Sequence, residues 1–440
     1  MKHPSLLLLY IPLVFAPWLS SIFKFPFEYY YLAIIGINIC LFMDMKDRKK
    51  YLLSPSFIVT FYLYISFYLG EVVFSRGIVQ IDDQASYYAA WKYHILNSIY
   101  YNACSLLSFI SYLLVENKKD KKRQVGRCIV MPTSLPFKLL VFVLLTVVLL
   151  LPISSIGIFV PIFGVLFITL LYHNRPCVRI LGYVFLIGYM ACLNPDNKRE
   201  SIFLFYPIVT LELTRILYVK FKYILYLIGS VFLLFCAILV MSIIRAGLGS
   251  DFFEVLSYIP VYLSSDNAIT MIVDNVEINY VYINSFQALE FINNDTSLLN
   301  YGMSYLKPLL ILIPSSIIDK PIATMLQYTK EFNPWGADAG LSLPITISAE
   351  AYWNFMFGGT VVVFFIFLFL NKIYLRCYSN ISSLSISLSR SIPFSTIYSA
   401  YFLVITLFLI RGCGFDLFFI YAIIGWLTLL SFRLFLKILK

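Results

Sequence analysis

At 440 residues, with 60% hydrophobic and 13% charged side chains and a mean hydropathy of +0.84, the chain has the composition of a polytopic membrane protein, which excludes a soluble globular enzyme. Its formal charge is +10. The basic residues are placed as membrane topology places them, and nothing in their pattern points to nucleic acid.

Crossing a hydrocarbon core of about 30 Å takes about 20 apolar residues as a helix, and only helices or closed barrels satisfy the backbone there. Unbroken apolar runs, instead of alternating segments, exclude a barrel. In chain order the runs are Leu6–Ile22, Phe27–Met43, Pro55–Phe74, Ile95–Val115, Lys138–Ser155, Ile158–Tyr172, Val178–Leu193, Ile202–Val219, Tyr223–Ile243, Phe355–Tyr374, Phe394–Ile410 and Leu417–Phe432. The expected fold is therefore an all-α, polytopic helix bundle of about 12 transmembrane helices, with no linker that would separate residues 1–440 into two domains. The first run has the length of a signal peptide, but Ala16-Pro17-Trp18 lacks the small-x-small cleavage pattern, and the run is read as an anchor.

With the N-terminus inside, cytoplasmic segments and inner span ends hold 23 of the 33 basic residues, concentrated at 46–50 and 118–127. The other ten are Lys24, Arg76, Lys92, Lys198, Arg199, Arg245, Lys307, Lys320, Lys330 and Arg411. This positive-inside asymmetry puts both termini inside and the one large polar segment, 245–354, outside. That segment carries eleven Asp and Glu against four Lys and Arg. Within it, Phe252–Leu263 and Tyr280–Ile292 have apolar residues near helical spacing, which predicts amphipathic helices against the bilayer. Asn333–Gly340 reads as a turn or loop. Leu309–Ile313, between Pro308 and Pro314, is too short to cross and reads as an interfacial or re-entrant piece.

None of the eight cysteines falls in the outer segment, so no disulfide framework is expected there. His3, His94 and His173 are scattered, and no His/Cys cluster has ligand spacing, so neither metal nor cofactor is expected. The candidate chemistry is instead at the outer span ends: Lys198 and Arg199 after the seventh run, Arg245 after the ninth, Arg411 after the eleventh. Basic residues at span ends also anchor by snorkelling. As a converging set on a face poor in basic residues they suit a lipid diphosphate, because a guanidinium binds phosphate oxygens in a planar, bidentate way. Glu350, just before the tenth run, is a candidate general base or a structurally paired acid. Tyr352, Trp353 and Tyr262 are candidate sugar-stacking rings, though aromatics also gather at membrane interfaces. Asp82-Asp83 is a weak echo of the acidic pair of lipid-dependent glycosyltransferases.

Pro334, Gly340, Pro344, Glu350, Tyr352, Asn354, Phe355 and Gly358 form a Pro…Gly…Pro…Glu-x-Tyr-x-Asn-Phe…Gly close to the outer segment. Together with the dozen runs and the single large late loop, this resembles the O-antigen polymerase family of bacterial surface polysaccharide assembly. Arg199 matches that family's arginine at the start of a span midway along the chain. The sequence departs in two places: Met356 and Phe357 separate Asn354-Phe355 from the glycine, and Lys198 stands where a small residue is common. The resemblance implies a metal-independent, inverting glycosyl transfer on the periplasmic face of the inner membrane. Donor and acceptor would be undecaprenyl-diphosphate-linked glycans among membrane lipid, with a chain-length regulator protein as a further partner and no nucleic acid. It implies catalytic roles for Arg199, Arg245 and Glu350, and substrate binding by Lys198, Arg411, Tyr352 and Asn354. Two rivals differ in class or acceptor. A lipid-linked oligosaccharide flippase would carry charges within its spans and lack the large loop, and no internal repeat of the transporter kind is present. An O-antigen ligase typically has a histidine in the loop, and 245–354 has none.

Cysteine labelling or reporter fusions are expected to place Asn294 and Asp338 outside, and Asp120 and Ser383 inside. An inside signal at Asp338 would mean that the Leu309 region crosses and would reverse the later orientation.

Overall fold

The computed structural model describes residues 5–23, 27–75, 95–116, 252–264, 278–310, 316–338 and 342–386, with isolated positions in 176–184, 236–243, 313 and 402–430. Among these residues the regular elements are all helical. In chain order they are α1 (Ser5–Phe23), α2 (Phe27–Asp44), α3 (Arg48–Leu52), α4 (Pro55–Ser75), α5 (Ile95–Glu116), α6 (Phe252–Leu263), α7 (Ile278–Asn294), α8 (Met303–Leu310), α9 (Thr324–Phe332), α10 (Pro334–Asp338), α11 (Ile347–Phe355) and α12 (Gly359–Ile386). Among the described residues, three helical runs are long and apolar enough to cross a membrane: Pro55–Val73, Ile95–Glu116 and Ile347–Ser379, the last covering α11 and much of α12. The expected spans Lys138–Ser155, Ile158–Tyr172 and Ile202–Val219 lie outside the described residues, as does Asp82-Asp83.

Helix limits follow local chemistry. Pro55 opens α4 at the one position where a missing N–H costs nothing, and the Ser54 hydroxyl accepts the N–H of Phe57 at 3.2 Å. Asp47 caps α3 through the N–H of Lys50 at 3.1 Å. Thr346 caps α11 through the N–H of Ala349 at 3.2 Å. Met356, at φ 49°, breaks the helical path between α11 and α12.

The chain divides into two compact units, 1–121 with 277–375 and 406–423, and 122–276 with 376–405 and 424–440. The first contains α1 to α5, α7 to α11 and most of α12. Its interior is bound by polar side chains that meet within apolar surroundings, where water does not compete. The Asn371 amide donates to Ser56 at 2.7 Å and Ser111 at 2.9 Å, and Ser56 donates to the Ser108 carbonyl at 2.7 Å, which ties α12, α4 and α5 together. On the other side of the same bundle, Asn102 of α5 accepts from Tyr64 at 2.5 Å and donates to Tyr30 of α2. In the second unit, Val255 and Tyr262 of α6 pack with Leu239 and Ile243 in a small apolar core.

Within residues 245–354, one helix departs from its expected form. Helix α7 was expected to lie against the bilayer, but residues 281–289 are buried on every face, from Val281 to Leu289. Its polar residues do not face water because they find partners inside: Tyr282 donates to Glu71 of α4 at 2.6 Å, and Asn284 donates to the Pro344 carbonyl at 3.0 Å and accepts from Tyr328 at 3.1 Å. Asn333–Gly340 was expected to be a turn or loop, and within it Pro334–Asp338 is a short helical turn, α10, with Asn333 accepting the N–H of Gly336 at 2.7 Å. Leu309 and Leu310 end α8, whose eight described residues measure about 12 Å, and Ile311 and Leu312 lie outside the described residues.

Gly70 makes the α4–α7 contact possible: a Cβ there would sit 2.6–2.8 Å from the Cβ and ring carbons of Tyr282, the rigid end of that side chain. Gly70→Ala is expected to destabilise the protein by about 1–3 kcal/mol, read as a lower melting temperature in detergent. An unchanged melting temperature would contradict this close approach.

Candidate functional site

The close noted in the sequence forms a buried polar seat around α11. Residues 347–354 of this helix are all buried, and Glu350 retains 1% of its surface. Glu350 and Asn354 stand four residues apart, one above the other on a single helix face. The Asn354 amide donates to the Glu350 carbonyl at 2.8 Å and to Ser304 at 2.9 Å. Its oxygen accepts the N–H of Gly302 at 3.1 Å and the Ser304 hydroxyl at 3.1 Å. One side chain thus joins α11 to the start of α8. The turn it grips is close-fitting: Gly302 has φ 85°, and a Cβ there would lie 2.7 Å from the Phe355 ring. Tyr305 stacks on Phe355 at 6.2 Å and meets Phe415 edge-on at 5.4 Å.

The Glu350 carboxylate accepts the backbone N–H of Phe415 at 2.7 Å. Phe415 opens a helical stretch, so this N–H is one of the donors a helix leaves unsatisfied at its start, and a carboxylate there also meets the positive end of the helix dipole. Beside it Lys307 of α8 pairs with Asp416 at 3.1 Å, the two side chains 21% and 4% exposed. Both charges stand close enough to Glu350 to act on it electrostatically. Before Phe415 come Gly412 and Gly414, at φ 89° and 84°. A Cβ on Gly412 would overlap the Ile345 carbonyl, so this turn lies directly on the lead-in to α11.

A second polar track leaves the seat on its other side. Tyr352 donates to Asn293 at 2.6 Å, Asn293 to Asn97 at 3.0 Å, and Asn97 to Glu290 at 3.3 Å. It runs from a buried ring to exposed Asn293 and half-buried Glu290. Tyr352 packs edge-on against Tyr100 at 4.8 Å, and Tyr100 donates to the Ser348 carbonyl at 2.7 Å.

The structure therefore brings Glu350 and Asn354 together on one face of α11 and turns Tyr352 to another, each engaged by the chain's own atoms. The three rings considered for sugar stacking, Tyr352, Trp353 and Tyr262, are buried. Arg199, Arg245, Lys198 and Arg411 lie outside the described residues, although Arg411 directly precedes Gly412. Sequence reasoning missed Lys307 and Asp416 as partners, and Glu71 as a buried carboxylate in α4. The two glycines bracketing Cys413 were the available signal for the turn. Among the described residues, no three His, Cys, Asp or Glu side chains cluster as metal ligands do. No family model matches the chain, and no curated protein or solved structure is significantly similar to it.

Asn354→Ala orphans several buried groups at about 1–3 kcal/mol each and is expected to lower the melting temperature in detergent. A full loss of activity at an unchanged melting temperature would instead make Asn354 a substrate contact.

Proposed function

We propose that this chain is an inner-membrane glycosyltransferase that polymerises polyprenyl-diphosphate-linked oligosaccharide repeat units on the outer face of the membrane. The observation that carries the reading is the Glu-x-Tyr-x-Asn-Phe close, in which Glu350 and Asn354 share one buried, hydrogen-bonded face of α11 and Tyr352 heads a second polar track, at the head of an apolar run long enough to cross. In this reading about 12 helices span the membrane, both termini are cytoplasmic, and residues 245–354 lie outside.

A hydroxyl of the incoming repeat unit attacks the anomeric carbon that bears the lipid diphosphate. A new C–O bond forms with inversion, the old C–O bond to phosphate breaks, the hydroxyl proton passes to a base, and polyprenyl diphosphate leaves with the electron pair. The leaving group is already activated, so the site's work is positioning and anion stabilisation. Arg199 and Arg245 are assigned to the diphosphate, with Lys198 and Arg411 as further cationic contacts. The flippase reading has less support, because the described outer segment is folded into the bundle through α7, α8, α9 and α11 instead of leaving a short-looped transporter.

Deleting the protein is expected to leave surface glycan capped with a single repeat unit, since export and ligation do not need polymerisation. Flippase loss would remove even that unit, and ligase loss would leave polymer on the lipid carrier. Arg199→Ala and Arg245→Ala are expected to give the single-unit pattern at normal membrane levels, with Arg→Lys still impaired because lysine lacks the bidentate fork. Normal ladders from the alanine variants would make these residues interfacial anchors.

A further inference from the structure

Helix α8 presents two unlike faces. Ser304 and Pro308 are buried on one, where Ser304 donates to Asn354 of α11 at 3.1 Å. Beside them Lys307 pairs with Asp416 at 3.1 Å. Met303, Leu306 and Leu309 recur every third residue on the opposite side and are 47%, 47% and 63% exposed. A helix in contact with water keeps its apolar stripe inward and its polar face outward. Here the polar groups grip the protein and the leucines look away from it.

The apolar surface does not end with α8. Gly302, just before it, sits so near the Phe355 ring that a Cβ would lie 2.7 Å away, and Tyr305 stacks on that ring at 6.2 Å. Phe355 and Phe357 are partly exposed themselves and stand at the head of α12. Along α12, Val361, Phe365 and Phe369 are exposed at intervals of four, which makes one apolar stripe on a run long enough to cross. The outward face of α8 therefore adjoins the stripe that a crossing α12 turns to lipid. Tyr301, 75% exposed at the start of α8, is of a residue type that gathers at the membrane boundary.

We infer that the outward face of α8 docks on the membrane, with Met303, Leu306 and Leu309 among the acyl chains of the leaflet that α12 enters. An exposed apolar patch marks a surface that something covers, and continuity with the α12 stripe makes lipid the occupant. The apolar face of an interfacial helix sinks about 5–10 Å into the boundary between headgroups and acyl chains. Docking in this way holds Ser304 and Asn354, on the other side of α8, at headgroup depth. The inference goes beyond the polymerase reading and does not require it, because membrane contact is read without turnover.

The test uses full-length protein in nanodiscs of phosphatidylethanolamine and phosphatidylglycerol. The photoreactive residue p-benzoylphenylalanine is placed singly at Leu306, Leu309, Phe365 or Asn294, the last an exposed polar position at the end of α7. On irradiation its ketone adds across a C–H bond within reach, so intact mass reads what lies beside each position. Positions 306 and 309 are expected to gain the mass of one phospholipid, as 365 does, and 294 to gain none. Met303 replaces either position of α8 if a substituted protein does not accumulate.

The inference is overturned if positions 306 and 309 gain no more phospholipid than 294, which makes the face water-exposed. It is equally overturned if they join to polypeptide, which makes the face a contact with another segment or a second copy of this chain. A lack of lipid at 365 overturns it too, since α12 then offers no lipid face for α8 to continue. Lipid adducts at 306 and 309 in a protein that forms no polymer would sink the polymerase reading and leave the docking in place.

Discussion

A carboxylate taken out of water needs donors in its place, and Glu350 receives the N–H of Phe415. The packing of α8 and α11 in the first unit is arranged around that exchange. The donor is available because Gly412 and Gly414 turn the chain sharply and start a helix against Ile345. The turn holds its place because Lys307 pairs with Asp416. Lys307 is in reach because Asn354 fixes the start of α8 to the helix that carries Glu350. Removing any one partner leaves the others buried without a counterpart, which costs more than the bond itself contributes.

The same constraint explains how a long polar segment folds without disulfides. Helix α7 enters the bundle because its polar side chains are matched inside it, Tyr282 by Glu71 and Asn284 by Tyr328 and Pro344. Gly70 gives the ring of Tyr282 its room. Aromatic contacts continue the packing, with Phe67, Tyr282 and Phe286 meeting edge to face at 5.0–5.6 Å. A scaffold of this kind holds its groups on rigid helices, which suits chemistry that depends on placement more than on reactive side chains.

Apolar runs announced α2, α4, α5 and α12, since length and hydropathy alone decide such helices, and Phe252–Leu263 emerged with the limits that its spacing suggested. Helix α7 was legible as a helix but not as a buried one. Asn284 and Gln287 look solvent-facing until their partner Tyr328, distant in the chain, is known. Helix α10 was hidden by its Pro and Gly, although Pro334 occupies a first-turn position where proline is welcome. In the site, the Glu350–Asn354 spacing showed which residues share a helix face. It did not show that Lys307 and Asp416, far apart in sequence, would meet beside them. Periodicity carries local information, and an ion pair between distant segments is tertiary.

The central claim is that lipid-linked units are joined here and not merely moved. Purified protein in sealed vesicles, supplied with a polyprenyl-diphosphate-linked repeat unit, tests it through the released lipid. The account predicts one polyprenyl diphosphate freed for every repeat unit added to the glycan. Transfer of the intact lipid-linked unit between leaflets, with no diphosphate released and no longer glycan formed, would contradict it.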